Sequence, residues 1–131
     1  MMLLDTSGLF CYHHAAEARS EEARTFFEAA VAKLTHNYVL AEFVALTMAR
    51  GLPRVQALEF LHALLAHPEV EIIWVTPALN QEAVGLLESR LDKDYSLCDA
   101  VSFVLMRERG LNEALTTDHH FEQEGFRQLL G

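Results

Sequence analysis

A chain of 131 residues, 51% hydrophobic, suits one compact domain able to bury about two-thirds of the surface its unfolded form exposes. Its net charge of -9 argues against a simple basic-patch reader of nucleic acid. Cys11 and Cys98 are too few for a disulfide framework and lack metal-ligand spacing, which points to a reducing, cytoplasmic setting and leaves at most a single bridge.

The N-terminus, MMLLDTSG, carries no basic leader and an early acid, which speaks against a signal peptide, and no apolar run approaches the roughly 18 residues of a membrane span. Met1 to Leu4 form a short apolar run that predicts a buried strand, with Asp5 at its carboxyl end and the turn formers Thr6, Ser7 and Gly8 as its exit loop. Ser20, followed by Glu21 and Glu22, is an N-cap candidate for a helix through EEARTFFEAAVAK. Lys33 to Thr35 read as a brief second strand. A helix is expected from about Asn37 to Arg50, with Glu42 in its interior and Gly51 as its stop. Pro53 opens the next helix, which runs to about Ala66 before Pro68 closes it.

VEIIWV, residues 70 to 75, is β-branched and apolar like a buried strand, and Thr76 with Pro77 starts a helix that reaches about Leu91. Residues 92 to 110 begin polar and turn into an apolar helix, with Asp99 in its first turns and Arg107 and Arg109 before a capping Gly110. EALTT, residues 113 to 117, delivers Asp118 at a strand end, and GFRQLL predicts a last edge strand. Strands alternating with helices define an α/β fold with a parallel sheet.

Ligands of an open parallel sheet bind beyond the carboxyl ends of its strands, where Asp5 and Asp118 are expected to emerge. Glu42 and Asp99 lie in the otherwise apolar helical stretches LAEFVAL and SLCDAVSF. A carboxylate buried among such neighbours costs several kcal/mol unless a cation or donors compensate it, although each acid alone could sit on an exposed helix stripe. No basic residue stands beside Asp5, Glu42 or Asp99 in sequence, so a shared divalent metal accounts best for the four together. Mg²⁺ or Mn²⁺ takes oxygen ligands and shares them with substrate phosphates, a site suited to phosphodiester hydrolysis. Two such ions would bring the formal charge from -9 to -5 and concentrate the change where a phosphate must sit.

Four stretches, LLDTSG, the Glu42 of LAEFVAL, DKDYSLCDAVSF and LTTDHHF, together resemble the motifs of PIN domains, especially the VapC-type toxins of bacterial toxin-antitoxin pairs. The match runs in order along nearly the whole chain, with Asp118 falling 19 residues after Asp99. The resemblance implies a single PIN-like domain over residues 1–131, a three-layer sandwich whose central, mostly parallel sheet is flanked by helices. It also implies Mg²⁺- or Mn²⁺-dependent endoribonuclease activity, an RNA substrate, an inhibiting antitoxin partner and a homodimer. Carried over by position, Asp5, Glu42, Asp99 and Asp118 are the catalytic and metal-holding acids. Thr6 and Ser96 occupy supporting hydroxyl positions, and Asp94 matches a frequent acid of undefined role.

Other residues are read more plainly. His119 and His120 do not make a zinc site, because adjacent residues do not converge on one ion; packing or exposure is expected, with phosphate contact as the alternative, and the same holds for His13 and His14. Lys93, Arg50, Arg54, Arg107 and Arg109 default to solvated surface, and Phe26, Phe27, Phe60 and Phe103 to core. The stretch from Asn37 to His67 is more apolar than its helix faces need, which suits core, a dimer face or an antitoxin groove. Two competing functions stand beside the nuclease: an aspartyl-phosphate hydrolase, for which Ser7 occupies the place of the required second acid, and a non-catalytic binding module.

Overall fold

The computed structural model describes residues Met1–Gly131. Five strands, β1 (Met2–Leu4), β2 (Lys33–His36), β3 (Val70–Ile73), β4 (Glu113–Leu115) and β5 (Arg127–Gln128), form one sheet in the order β3-β2-β1-β4-β5. All four pairings are parallel. Every strand exit therefore lies at one edge, and β1, in the middle, has β4 as its immediate neighbour.

Seven helices connect the strands: α1 (Thr6–His13), α2 (Ser20–Ala29), α3 (Asn37–Ala49), α4 (Arg54–Leu65), α5 (Pro77–Glu88), α6 (Leu97–Arg109) and α7 (His120–Gln123). Side-chain alternation along the strands divides the core in two. Met2 and Leu4 pack with Leu9, Phe27, Phe43 and Leu64 from α1 to α4, whereas Leu3 packs with Leu79, Val101, Phe103 and Phe121 from α5 to α7. Helices on both faces of the parallel sheet give the three-layer sandwich expected from the sequence.

The strands are shorter than their apolar runs. The third stops at Ile73, which leaves Trp74 63% exposed, and the fourth stops at Leu115. The helix after Pro77 ends at Glu88, and α6 starts only at Leu97. Ser20 is the first residue of α2 rather than its cap, and Pro53 caps α4 rather than opening it. Gly110 ends α6 at φ 65°, the left-handed conformation expected of it.

Helix α1 was not expected from the sequence at all. Thr6, Ser7 and Gly8 are the first turn of α1, not an exit loop. The reason is tertiary: a Cβ on Gly8 would lie 1.9 Å from the Leu115 carbonyl oxygen. Glycine is needed there for the close approach of α1 to β4, and its conformational freedom plays no part.

Candidate metal centre at the carboxyl edge of the sheet

Asp5 follows β1 directly, and its backbone N–H continues the β1–β4 ladder by donating to the Leu115 carbonyl at 3.2 Å. Although it occupies the N-cap position of α1, its side chain makes no capping bond. The carboxylate is 4% exposed; Oδ2 accepts a hydrogen bond from Thr116 Oγ1 at 2.8 Å, and Oδ1 is buried without a partner. Burial pushes this carboxyl up to about 7; the Thr116 hydroxyl opposes the rise, and the charges of Asp99 and Glu42 add to it.

Thr116 joins the two central strand exits. While its hydroxyl donates to Asp5, its oxygen accepts from the Asp118 backbone N–H at 3.0 Å and lies 3.1 Å from Ser7 Oγ. Ser7 Oγ in turn accepts from the Thr117 N–H at 2.9 Å. The position that a phosphoaspartate mechanism needs for a second acid is thus a hydroxyl committed to the β4 exit. Asp118 Oδ1 accepts from the His120 backbone N–H at 2.9 Å, which fixes the turn between β4 and α7.

Asp99 arrives from the third layer. It is 7% exposed and stands three residues after Ser96, with which it forms a reciprocal capping box at the start of α6. Asp99 Oδ2 accepts from the Ser96 N–H at 3.1 Å, and Ser96 Oγ accepts from the Asp99 N–H at 3.0 Å. Burial raises the Asp99 carboxyl above its ordinary range, the bond from Ser96 moderates this, and the charge of Asp118 adds to the rise. One turn further along α6, Ser102 Oγ lies 2.8 Å from Nε2 of His36 at the end of β2. Burial depresses His36 to about 3, so this neutral ring ties α6 to the sheet.

The remaining site candidates divide. The Thr6 hydroxyl, on the residue after Asp5, is buried without a close partner and opposes the rise of the Cys98 thiol. Glu42 is exposed on α3, yet its charge reaches Asp5 and the buried Cys98 thiol, which burial and the surrounding acids push above its usual range. Asp94 is exposed in the loop before α6, and the group formed by Asp99, Asp118 and His120 contains neither it nor Asp5 nor Glu42. Cys11 and Cys98 are both buried free thiols, so no bridge forms.

Two participants escaped the sequence reading. Thr116 sits inside the TTDHHF motif, but its link to Asp5 spans 111 positions and has no local signature. His119 is exposed as expected, whereas His120 turns inward: its Nδ1 lies 3.1 Å from Asp118 Oδ1 and 3.5 Å from Asp99 Oδ2. Ligand atoms of Asp99, Asp118 and His120 all fall within 4.8 Å of one another. Two raised carboxyl groups, an unpartnered buried carboxylate oxygen and a third acid form a donor set that fits a divalent cation. None of the cavities is lined by these residues; the largest, about 540 Å³ and lined by Met1, Gly110 to Glu113 and Arg127, is at the opposite, amino edge.

A parallel α/β sandwich with clustered acids at the exits of its two central strands defines a class, and the chain belongs to it: residues 2–126 match the PIN domain family. Among individual proteins, it is 30% identical over 127 residues to the 23S rRNA-specific endonuclease VapC20 of Mycobacterium tuberculosis, in two strains, covering 96% of this chain and 95% of the relative. The crystal structure of Mycobacterium tuberculosis VapC20, described as a sarcin-ricin loop cleaving toxin, superposes with a TM-score of 0.89 at 29% identity over 98% of each chain. No helix is long and apolar enough to cross a membrane.

Proposed function

We propose that this chain is a metal-dependent endoribonuclease and the toxin of a toxin-antitoxin pair, with Asp5, Asp99, Asp118 and Glu42 holding Mg²⁺ or Mn²⁺. The observation that carries the reading is the gathering of Asp99, Asp118 and His120 at the strand-exit edge, together with Asp5 at the β1 exit, whose buried Oδ1 has no partner and whose carboxyl feels the charge of Asp99. Held there, a divalent cation supplies Lewis-acid activation of water and of the phosphodiester. The chain's residues do the rest. Thr116 fixes the Asp5 carboxylate against the β4 exit, and Ser96 fixes Asp99 by mutual capping. Thr6 supports the buried segment after Asp5, and Glu42 adds negative charge that reaches Asp5 from an exposed side chain able to meet a cation or its waters.

Ribosomal RNA is the substrate of first choice because the relatives are named for 23S rRNA cleavage. The catalytic unit is one domain over residues 1–131, acting in the cytoplasm. Its protein partners are an antitoxin and a second copy of the chain. Met48, Val55, Leu58 and Leu65 are exposed along α3 and α4 and supply apolar surface for such contacts. Light scattering of the protein alone and with its cognate antitoxin tests both.

The deciding experiment incubates RNA with the protein and Mg²⁺ or Mn²⁺, with EDTA and Asp5→Asn as controls. Cleavage is expected with metal and absent in both controls. Cleavage that survives EDTA overturns the proposal.

A further inference from the structure

We infer that His120 contributes its Nδ1 to the cation held by Asp99 and Asp118, making the centre a mixed nitrogen and oxygen site that favours Mn²⁺ over Mg²⁺. The inference rests on the metal-dependent reading above and goes beyond its four acids. Nδ1 is buried and has no hydrogen-bond partner. It nevertheless lies 3.1 Å from one carboxylate oxygen and 3.5 Å from another, so it faces both acids without aligning an N–H on either. A ring that served only to pair with Asp118 would direct Nδ1–H at that oxygen.

The spacing matches a shared ligand sphere. Metal-to-ligand distances of about 2.0–2.1 Å in an octahedron separate adjacent donor atoms by about 2.9 Å and opposite ones by about 4.2 Å. The 3.1 Å contact of Nδ1 is close to the first value and the 3.5 Å contact lies between the two, and all three donor atoms stay within 4.8 Å of one another, so small side-chain shifts bring them onto one ion. Asp118 and His120 share the turn between β4 and α7, whereas Asp99 reaches them from α6, 19 residues before Asp118 in the chain.

The ring is also held in place. Its centroid is 5.3 Å from that of the buried Tyr95 in an edge arrangement and 4.7 Å from that of His119. The backbone N–H of His120 is bonded to Asp118 Oδ1 at 2.9 Å, which locks the turn that presents the ring. Preorganisation of this kind keeps a nitrogen donor at the site before any ion arrives. Mg²⁺ is served by oxygen donors alone, whereas an imidazole nitrogen adds affinity for first-row transition ions.

The test uses Mn²⁺ alone as the probe on the purified protein without RNA. Pulsed electron paramagnetic resonance is expected to show a ¹⁴N coupling to bound Mn²⁺ in the wild type, replaced by ¹⁵N when histidine is labelled, and absent in His120→Gln. Calorimetry on the same variant is expected to show Mn²⁺ affinity reduced about tenfold or more while Mg²⁺ affinity changes little. Bound Mn²⁺ without nitrogen coupling in the wild type overturns the inference and leaves the metal-dependent reading intact. Failure of folded wild-type protein to bind Mn²⁺ at all overturns both. Because the first readout needs no substitution, a folding defect in the variant does not blur the result.

Discussion

Asp5 and Glu124 are both carboxylates taken out of water, one at the carboxyl edge of the sheet and the other where α5, α6 and α7 meet, and their surroundings are opposite. The Glu124 side chain is 3% exposed and fully matched: Arg90 Nε donates to Oε1 at 2.7 Å and an Arg107 guanidinium nitrogen to Oε2 at 2.6 Å. Burial alone would raise its carboxyl, but the two arginines reverse that and hold it below the usual glutamate range. Asp5 has one hydroxyl, no cation and an orphaned oxygen. A structural acid is neutralised by the fold itself; Asp5 is left for something outside the chain to neutralise. That contrast separates the carboxylate proposed to hold metal from the structural one, which burial by itself could not do.

The comparison predicts opposite pH behaviour in metal-free protein. The Asp5 carboxyl rises from 3.8 to about 7 on folding, so the unfolded chain loses its proton first and stability falls as pH climbs from about 4 to about 7. The loss is on the order of 4 kcal/mol at 1.36 kcal/mol per unit. Glu124 is depressed, so its stabilisation is present above the ordinary glutamate range and disappears as pH falls below it. Asp5→Asn is the largest test. It should abolish metal-dependent cleavage, by at least about a thousandfold, because several kcal/mol of charge stabilisation depend on the cation. In EDTA it should also raise the melting temperature at pH 7.5 and flatten the slope between pH 4 and 7. A variant that melts lower at every pH would break the contrast.

Thr116→Val comes next. It removes the one donor to Asp5 and the acceptor of the Asp118 N–H while keeping the shape. Metal affinity should fall about 10- to 100-fold by calorimetry, as for other residues that orient ligands. Stability should drop by about 1–3 kcal/mol, and Thr116→Ser should restore both. Unchanged affinity in the valine variant would show that β4 does not fix the Asp5 carboxylate.

Glu124→Gln should act on stability and little on chemistry. Removing one member of a buried pair is costly, but Arg90 and Arg107 are 36% and 45% exposed and can regain water, so about 2 kcal/mol is expected in denaturant melts. Cleavage per folded molecule should stay near wild type. A large loss of cleavage at full folding would mean that the arginine pair controls the placement of α7 and its His120.

How much of this was legible in the sequence depended on whether the cause was local. The apolar run before Asp5 and the short strand before Asp118 marked two strand exits, and the α/β alternation gave the layers. The neighbouring of β1 and β4, which brings those exits together, has no sequence signal. Gly8 looked like a turn residue because its real constraint is the β4 backbone packed against it. For Asp99, apolar neighbours correctly indicated burial, whereas its capping box with Ser96 went unread although the Ser-x-x-Asp spacing is local. Glu42 had the same apolar context yet is exposed, because residues 37 to 49 are apolar on more than the core face. Thr116 and His120 act across elements, so only the folded chain reveals them.

Asp94 belongs to neither kind of carboxylate and gives the smallest expected effect. It is exposed in the loop that precedes α6, while Asp99, only five residues later, is buried and joined to Asp118 and His120. Surface acids away from such features change stability by about 0.5 kcal/mol or less, which as a rate effect is about twofold. Asp94→Asn should therefore leave melting, Mn²⁺ affinity and RNA cleavage within that range. Cleavage reduced tenfold, with Mn²⁺ affinity unchanged, would mean that the loop before α6 meets the RNA directly and that Asp94 works at this edge from outside the metal cluster.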